Sequence, residues 1–401
     1  MRADIARDMV APEPGGAGYR AMLDRARALV PTLRTRAPRG EEMRSLPPET
    51  VADLHAAGLF RIVQPRRIGG CEFDYVALVD FAAELARGDA SVGWNLGNLA
   101  SHHWMLGMFA PAAQEAVWGA DPDALIASSF VFPAGRATRT EGGYRLAGRW
   151  PFSSGVGPSA WNMLAGTVAP DAELRVFLVH RDAYRIVETW DSAGLRGTGS
   201  HDVELNDLFV PEPMTVAVSA LAGGPTPGSA LNPGTLFKLP VFALFPFVLS
   251  GAALGNAQAC VEDFEAATRK RASTYSGAQL ANLQSIQMRI GAAAARVDAA
   301  RRIMRSICVE AMADAAAGRI PDLGTKTAYR RDGAYAVSLC TEAVSLLFQA
   351  SGAGGLARAS ALQRQFRDAH AIAAHIAFSL DAATANYGRV ALGLSSENPT
   401  L

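Results

Sequence analysis

The chain of 401 residues has no excess of either charge: 38 Lys and Arg stand against 38 Asp and Glu. A nucleic-acid surface needs a basic face that neutralises phosphates, and a polybasic membrane tether needs the same excess, so neither partner is expected. Cysteine is scarce. Cys71, Cys260, Cys308 and Cys340 are scattered without a CxxC pair, which argues against a disulfide framework or a zinc ribbon. The longest apolar run, Leu239–Ala259, is interrupted by Pro240, Pro246 and Asn256 and reads as a buried helix, not as a membrane span. The N-terminal residues carry charges but no apolar stretch of the secretory kind, so the expected compartment is the cytoplasm.

Several catalytic signatures are also missing. There is no GxxxxGK[ST] phosphate loop, no GxSxG elbow and no HExxH pair. Gly352 to Ala357 spells GxGxxA, but the segment before it, Cys340–Ala350, reads as a helix. A dinucleotide fingerprint needs a strand entering that turn, so the chain is expected to hold no NAD(P)H site of its own. Adjacent His102 and His103 cannot easily share one metal ion. His370 and His375, five apart, would diverge by about 140° on a helix, so no metal is expected.

Hydrophobic residues make up 49% of the chain, enough for a large core. Residues 1–18 read as a flexible N-terminus. A helical domain follows over 19–124, with apolar residues at three- and four-residue spacing in Tyr19–Ala37, Pro47–Ala57, Tyr75–Arg87 and Ala112–Trp118. Over 125–220 the pattern changes to short runs of β-branched and aromatic residues separated by Gly, Pro, Asp and Asn. This predicts a small β-barrel or sandwich, with a hairpin turn at Glu141–Tyr144. A Gly- and Pro-rich linker covers 221–234, and 235–401 predicts a four-helix bundle whose last member spans Ala359–Tyr387. Gly251 and Gly255, four apart in an apolar helix, permit a close backbone approach to a neighbour. The fold class is therefore α+β.

Three polar and aromatic islands stand out. The first holds Trp94, Asn95, Asn98, Ser101, His102, His103 and Trp104. The second holds Gly148, Arg149, Trp150, Pro151, Phe152, Ser153, Ser154 and Gly155. The third holds Arg367, Asp368, His370 and His375. Such groups suit a concave pocket for a flat aromatic body with a few polar contacts. Taken singly, each has an ordinary reading: a histidine satisfied in the core, turn serines before a glycine, or a structural hydrogen bond from Asp368 on the last helix.

The layout and these motifs together resemble the acyl-CoA dehydrogenase-like flavoproteins over about residues 20 to 395. Gly148–Gly155 resembles the strand segment that lies against the flavin in that family, and Trp190–Asp202, with Arg196 and Thr198, its G-[LM]-R-x-[ST] motif. Arg271 with Tyr275, Ser276 and Gly277 is similar to the turn that holds cofactor phosphates, and Gln349 with Gly352–Gly355 to the glycine segment reaching a neighbouring subunit's cofactor. The dehydrogenases use a carboxylate base after the Arg-Asp-Ala segment. Here Ala371–Phe378 has no Asp or Glu and offers His375. The chain is more similar to the oxygenase components of two-component, group D flavin monooxygenases, of the p-hydroxyphenylacetate and steroid-ring hydroxylase type.

That resemblance implies reduced flavin, FMNH2 or FADH2, supplied as a co-substrate by a separate NAD(P)H-dependent reductase, and O2 activated as a C4a-hydroperoxide. It implies hydroxylation of a small phenolic or heteroaromatic molecule by a homo-oligomer, of tetrameric type. Ser154 is the expected contact to the flavin N5 edge, with Ser153, Trp150, Arg196, Thr198, Arg271, Gln349 and Gly354 also expected to bind cofactor. His375 would stabilise and protonate the oxygen intermediate because an imidazole titrates near neutrality. His103 would polarise the phenol. Trp94, His102, Trp104, Ser129 and His370 are the expected substrate contacts. Rival readings are an N-oxygenase of an amino sugar or amine, an acyl-CoA dehydrogenase, and a non-enzymatic relative of the fold.

Overall fold

The computed structural model describes residues 16–272 and 277–401. Residues 1–15 of the expected flexible N-terminus, and the pair Tyr275 and Ser276, lie outside the described residues; Ala17 and Gly18 already belong to a helix.

Five helices come first: α1 (Ala17–Met43), α2 (Pro48–Ala56), α3 (Val76–Ala86), α4 (Ala90–Leu106) and α5 (Pro111–Trp118). All seventeen residues of α4 are buried, polar ones included. Asp89 caps it by accepting from the Ser91 amide at 2.8 Å. A helix whose every face is enclosed must find partners for each polar side chain, and those partners define the site described below.

Eight strands follow: β1 (Ile126–Ser129), β2 (Gly135–Thr140), β3 (Gly143–Ser153), β4 (Trp161–Ala169), β5 (Glu173–His180), β6 (Arg185–Val187), β7 (His201–Pro211) and β8 (Thr215–Ala217). They form one sheet in the order β6-β7-β3-β2-β4-β5-β8, with β1 parallel to β4. The hairpin at Glu141–Tyr144 forms with Thr140 opposite Gly143 and Gly142 at φ 75°. The sheet is not closed, which corrects the barrel alternative of the expected β domain. Among the described residues its two edges, β6 and β8, are three-residue strands that do not pair with each other. Alternation along a strand reports which face is buried, whereas closure depends on long-range pairing that local pattern does not carry.

The C-terminal helices are α6 (Val241–Thr268), α7 (Gln284–Ala316), α8 (Leu323–Ala350), α9 (Ala361–Ala373) and α10 (Leu380–Ala391). By length and composition α6 could cross a membrane, yet 89% of its most apolar window is buried inside the protein. Gly251 and Gly255 seat it on α3: a Cβ at Gly251 would stand 2.6 Å from the Val79 carbonyl oxygen, and one at Gly255 2.0 Å from that of Ala83. The expected last helix is two helices. The chain leaves α9 at Ala374, makes a short turn over Ile376–Phe378 capped by His375, and restarts as α10. His370 and His375 therefore do not share a helix.

Candidate active site

Trp94, Asn98 and His102 are spaced by four, so they form one stripe of α4. That stripe meets the end of the sheet. Trp94 Nε1 donates to Ser154 Oγ at 3.1 Å, Asn98 Nδ2 donates to the Ser154 carbonyl at 3.2 Å, and His102 Nδ1 donates to the Ile126 carbonyl at 2.5 Å. Asn95, one step round the helix, donates to the Thr198 carbonyl at 3.2 Å. His103 points elsewhere. Its ring stacks on Trp118 at 6.1 Å, its Nδ1 accepts from Trp118 Nε1 at 3.1 Å, and burial pushes its pKa down to about 3. The expected role of His103 at a phenol is corrected: consecutive helical residues face about 100° apart, and the residue facing the site is His102.

β3 ends in a register break between Trp150 and Ser153. Phe152 takes φ 65° and Gly155 φ 69°, which turns the chain so that Ser154 faces α4. The Ser154 hydroxyl lies 2.8 Å from that of Ser200, and Ser200 lies 2.7 Å from Thr198 Oγ1, which donates to the Leu195 carbonyl at 2.9 Å. Each hydroxyl has one proton. With Thr198 donating to Leu195, Ser200 must donate to Thr198, and Ser154 to Ser200. The Ser154 oxygen already accepts from Trp94, and one lone pair remains for a further N–H donor. Ser153 is buried and accepts from Asn162 Nδ2 at 3.0 Å; Ser129 donates to the Pro151 carbonyl at 2.7 Å.

Phe130 and Phe245 join the two histidines, with Phe242 and Trp94 beside them. His102 meets Phe130 edge-on at 6.0 Å, Phe130 meets Phe242 at 5.5 Å and Phe245 at 5.8 Å, Phe245 lies over His375 at 6.2 Å, and His375 meets Trp94 at 5.4 Å. The two imidazoles present opposite chemistry. His102 uses its Nδ1 proton on Ile126, and its Nε2 is buried with no partner among the described residues, so it offers a lone pair. His375 Nδ1 accepts from the Ala377 amide at 3.1 Å, so the neutral ring carries its proton on Nε2 and offers a donor. Burial pushes both to about 4, His375 with help from the charge of Arg330. The expectation that His375 titrates near neutrality is corrected: both rings are neutral at pH 7.

Arg330 was not legible as a site residue. It lies on α8, mostly buried, and donates to the Phe242 carbonyl at 3.3 Å. Phe130, Phe242 and Phe245 were also missed, although Phe242 and Phe245 lie in the apolar run that the sequence marks as a core helix.

Other expected contacts lie apart from this group. Trp150 is fully buried in the sheet, donating to the Ala165 carbonyl at 2.6 Å and filling the space over Gly135 and Gly148. Trp104 is buried against Tyr75 and donates to the Leu236 carbonyl at 2.7 Å. Neither ring is available to a ligand, because both are packed and satisfied. His370 is exposed, touches Phe366 and lies 3.1 Å from Ser345 Oγ. The Arg196 guanidinium braces its own loop, donating to the Ser192 carbonyl at 2.6 Å and to Asp191 at 3.0 Å. Arg271 has no carboxylate partner among the described residues; it donates to the Ser351 carbonyl at 3.0 Å and lies against Gly354, with Gln349 exposed nearby in the chain.

The loop carrying Thr198 is fixed from α9. Asp368 accepts from the Leu195 amide at 2.7 Å, Arg367 donates to the Ala193 carbonyl at 2.6 Å and pairs with Glu41 at 2.7 Å. A Cβ at Gly194 would stand 2.2 Å from the Arg367 carbonyl oxygen, so the close approach of loop and helix requires glycine there. Burial raises the Asp368 carboxyl from 3.8 to about 7, against the lowering effect of the Leu195 amide.

These features fit a reduced flavin. Ser154 has a lone pair for an N–H, Phe152 leaves 62% of its surface open beside Trp190, and Arg271, with no carboxylate partner among the described residues, carries a charge suited to phosphate.

Comparison with known proteins agrees. Residues 17–121 match the model for the acyl-CoA dehydrogenase N-terminal domain, and 247–380 that for its C-terminal domain. The chain is 33% identical to the oxygenase subunit HsaA of a flavin-dependent monooxygenase from Rhodococcus jostii, over 93% of this chain and 98% of that one. It is 34% identical to the oxygenase component of an FADH2-dependent resorcinol hydroxylase from a Rhizobium species, over 93% and 94%. The crystal structure of a 3-HSA hydroxylase from Rhodococcus superposes with a TM-score of 0.90 at 32% identity, covering 95% of this chain and 98% of that one. The chain belongs to the oxygenase components of two-component flavin-dependent monooxygenases, built on the acyl-CoA dehydrogenase fold.

Proposed function

We propose that this chain hydroxylates a phenol in the aromatic group bounded by His102, Phe130, Phe245, His375 and Trp94. Reduced FAD from a separate NAD(P)H-dependent reductase, with O2, supplies the electrophilic oxygen. The observation that carries this reading is the opposite polarity of the two neutral imidazoles. His102 Nε2 accepts from the phenol O–H and pushes electron density into the ring, while His375 Nε2–H donates to the oxygen being transferred. Ser154 accepts from an N–H at the flavin edge. Reduced flavin carries that proton at N5 and oxidised flavin does not, so the ordered hydroxyls favour the reduced form. Arg271 and Gly354 hold cofactor phosphate, and homo-oligomer assembly brings that pair to a neighbour's site, which the exposed Leu356 and Ile376 support.

The test supplies chemically reduced FAD and O2 to the protein with a panel of phenols, indoles and amino sugars. Hydroxylated phenols are the expected products. His102→Ala is expected to lower phenol hydroxylation by about 100-fold. Product from amino sugars alone, or an unchanged rate in His102→Ala, overturns the reading.

A further inference from the structure

Pro246 lies inside α6. It has no amide proton, so the carbonyl four residues earlier, that of Phe242, loses its helical donor. Arg330 replaces it, with NH1 donating to that oxygen at 3.3 Å. The approach depends on a small residue: a Cβ at Gly333, one turn along α8 from Arg330, would stand 2.5 Å from Pro246 Cβ. This repair needs one donor. A guanidinium has five, and a full charge that a neutral amide would not bring. Among the described residues no carboxylate lies within ion-pair distance of Arg330. Its immediate neighbour Arg331 has one in Asp332 at 2.6 Å. The Phe242 ring packs on Phe130 and Phe132, and the Arg330 charge acts on His375. Burial lowers Arg330 from 12.5 to about 10, so it stays charged at pH 7, a cation with no carboxylate partner among the described residues, held on the backbone carbonyl of Phe242.

We propose that Arg330 is an anion subsite of the aromatic pocket, and that the substrate is a phenol bearing a carboxylate. This rests on the phenol-hydroxylase reading above and narrows it. The phenol end lies toward His102 and the acid toward α8, which sets the ring's direction between the two histidines.

The test is binding to the flavin-free protein, read by tryptophan fluorescence and by calorimetry. The probes are 4-hydroxyphenylacetate and its neutral analogue p-cresol. The wild type is expected to prefer the acid by about 10- to 100-fold, the range of a hydrogen bond to a charged group. Arg330→Met is expected to erase that preference, and Arg330→Lys to keep part of it; thermal unfolding checks that each variant folds. Equal affinities in the wild type, a preference that survives in Arg330→Met, or failure of both phenols to bind overturns the subsite. An Arg330-dependent preference for the acid without hydroxylation in the presence of reduced FAD and O2 leaves the subsite standing and overturns only the phenol-hydroxylase reading.

Discussion

Replacing His375 by alanine is expected to cut hydroxylated product by about 100-fold while oxygen continues to be consumed and leaves as hydrogen peroxide. The ring is held from three sides. Trp94 meets its edge at 5.4 Å, Phe245 covers its face at 6.2 Å, and the Ala377 amide occupies Nδ1 at 3.1 Å. Only Nε2–H is left to act. Alanine removes that donor and also opens the apolar wall to water, so the hydrogen bond to the transferred oxygen and the exclusion of water fail together. His375→Asn, which keeps a side-chain N–H, is expected to recover part of the coupling. The pH dependence follows from a folded pKa of about 4 against an ordinary 6.5. A depressed histidine contributes stability that is present above about pH 6.5 and lost as pH falls toward 4. Coupling through a neutral His375 is therefore expected to be level from about pH 6 to pH 8. Product, oxygen uptake and peroxide measured together check this; unchanged coupling in His375→Ala removes the residue from the chemistry.

Asp368→Ala is expected to weaken binding of reduced FAD by about 10- to 100-fold, through loss of the hydrogen bond that fixes the Thr198 loop. The carboxyl touches no ligand in this account. It positions Leu195, and through Thr198 and Ser200 it sets the direction of the Ser154 hydroxyl. Asp368→Asn keeps an acceptor for the Leu195 amide and is expected to bind flavin nearly as the wild type does. The two variants separate positioning from charge. Because burial raises this carboxyl to about 7, the folded chain keeps a proton that the unfolded chain releases near 4. Its contribution to stability is complete below about pH 4 and is lost as pH rises through 7. Wild-type melting temperature is expected to fall relative to Asp368→Asn across that window. Parallel melting curves at all pH values contradict the assignment.

Much of the site was legible because it follows helix periodicity. Trp94, Asn98 and His102 share a stripe by spacing alone. The choice between His102 and His103 was open in the sequence, since either stripe of a fully buried helix faces protein; only the positions of Ile126 and Trp118 separate them. Trp150 and Trp104 looked like ligand contacts because aromatic residues in a polar island serve pockets and cores equally well. Arg330 was invisible for the opposite reason. It is one arginine among many on a helix, and its meaning comes from Pro246 on a distant segment. Sheet closure failed on the same ground: short strands were recognisable, but the pairing of their edges was not.

On the proposed function, this chain transfers one atom of O2 to a phenol using flavin reduced elsewhere. The most direct measurement is isotopic: the protein, chemically reduced FAD, 4-hydroxyphenylacetate and ¹⁸O2 in ordinary water, with the product read by mass spectrometry. One ¹⁸O atom per hydroxylated product is expected. Product oxygen drawn from water, or dehydrogenation without oxygen incorporation, contradicts the account.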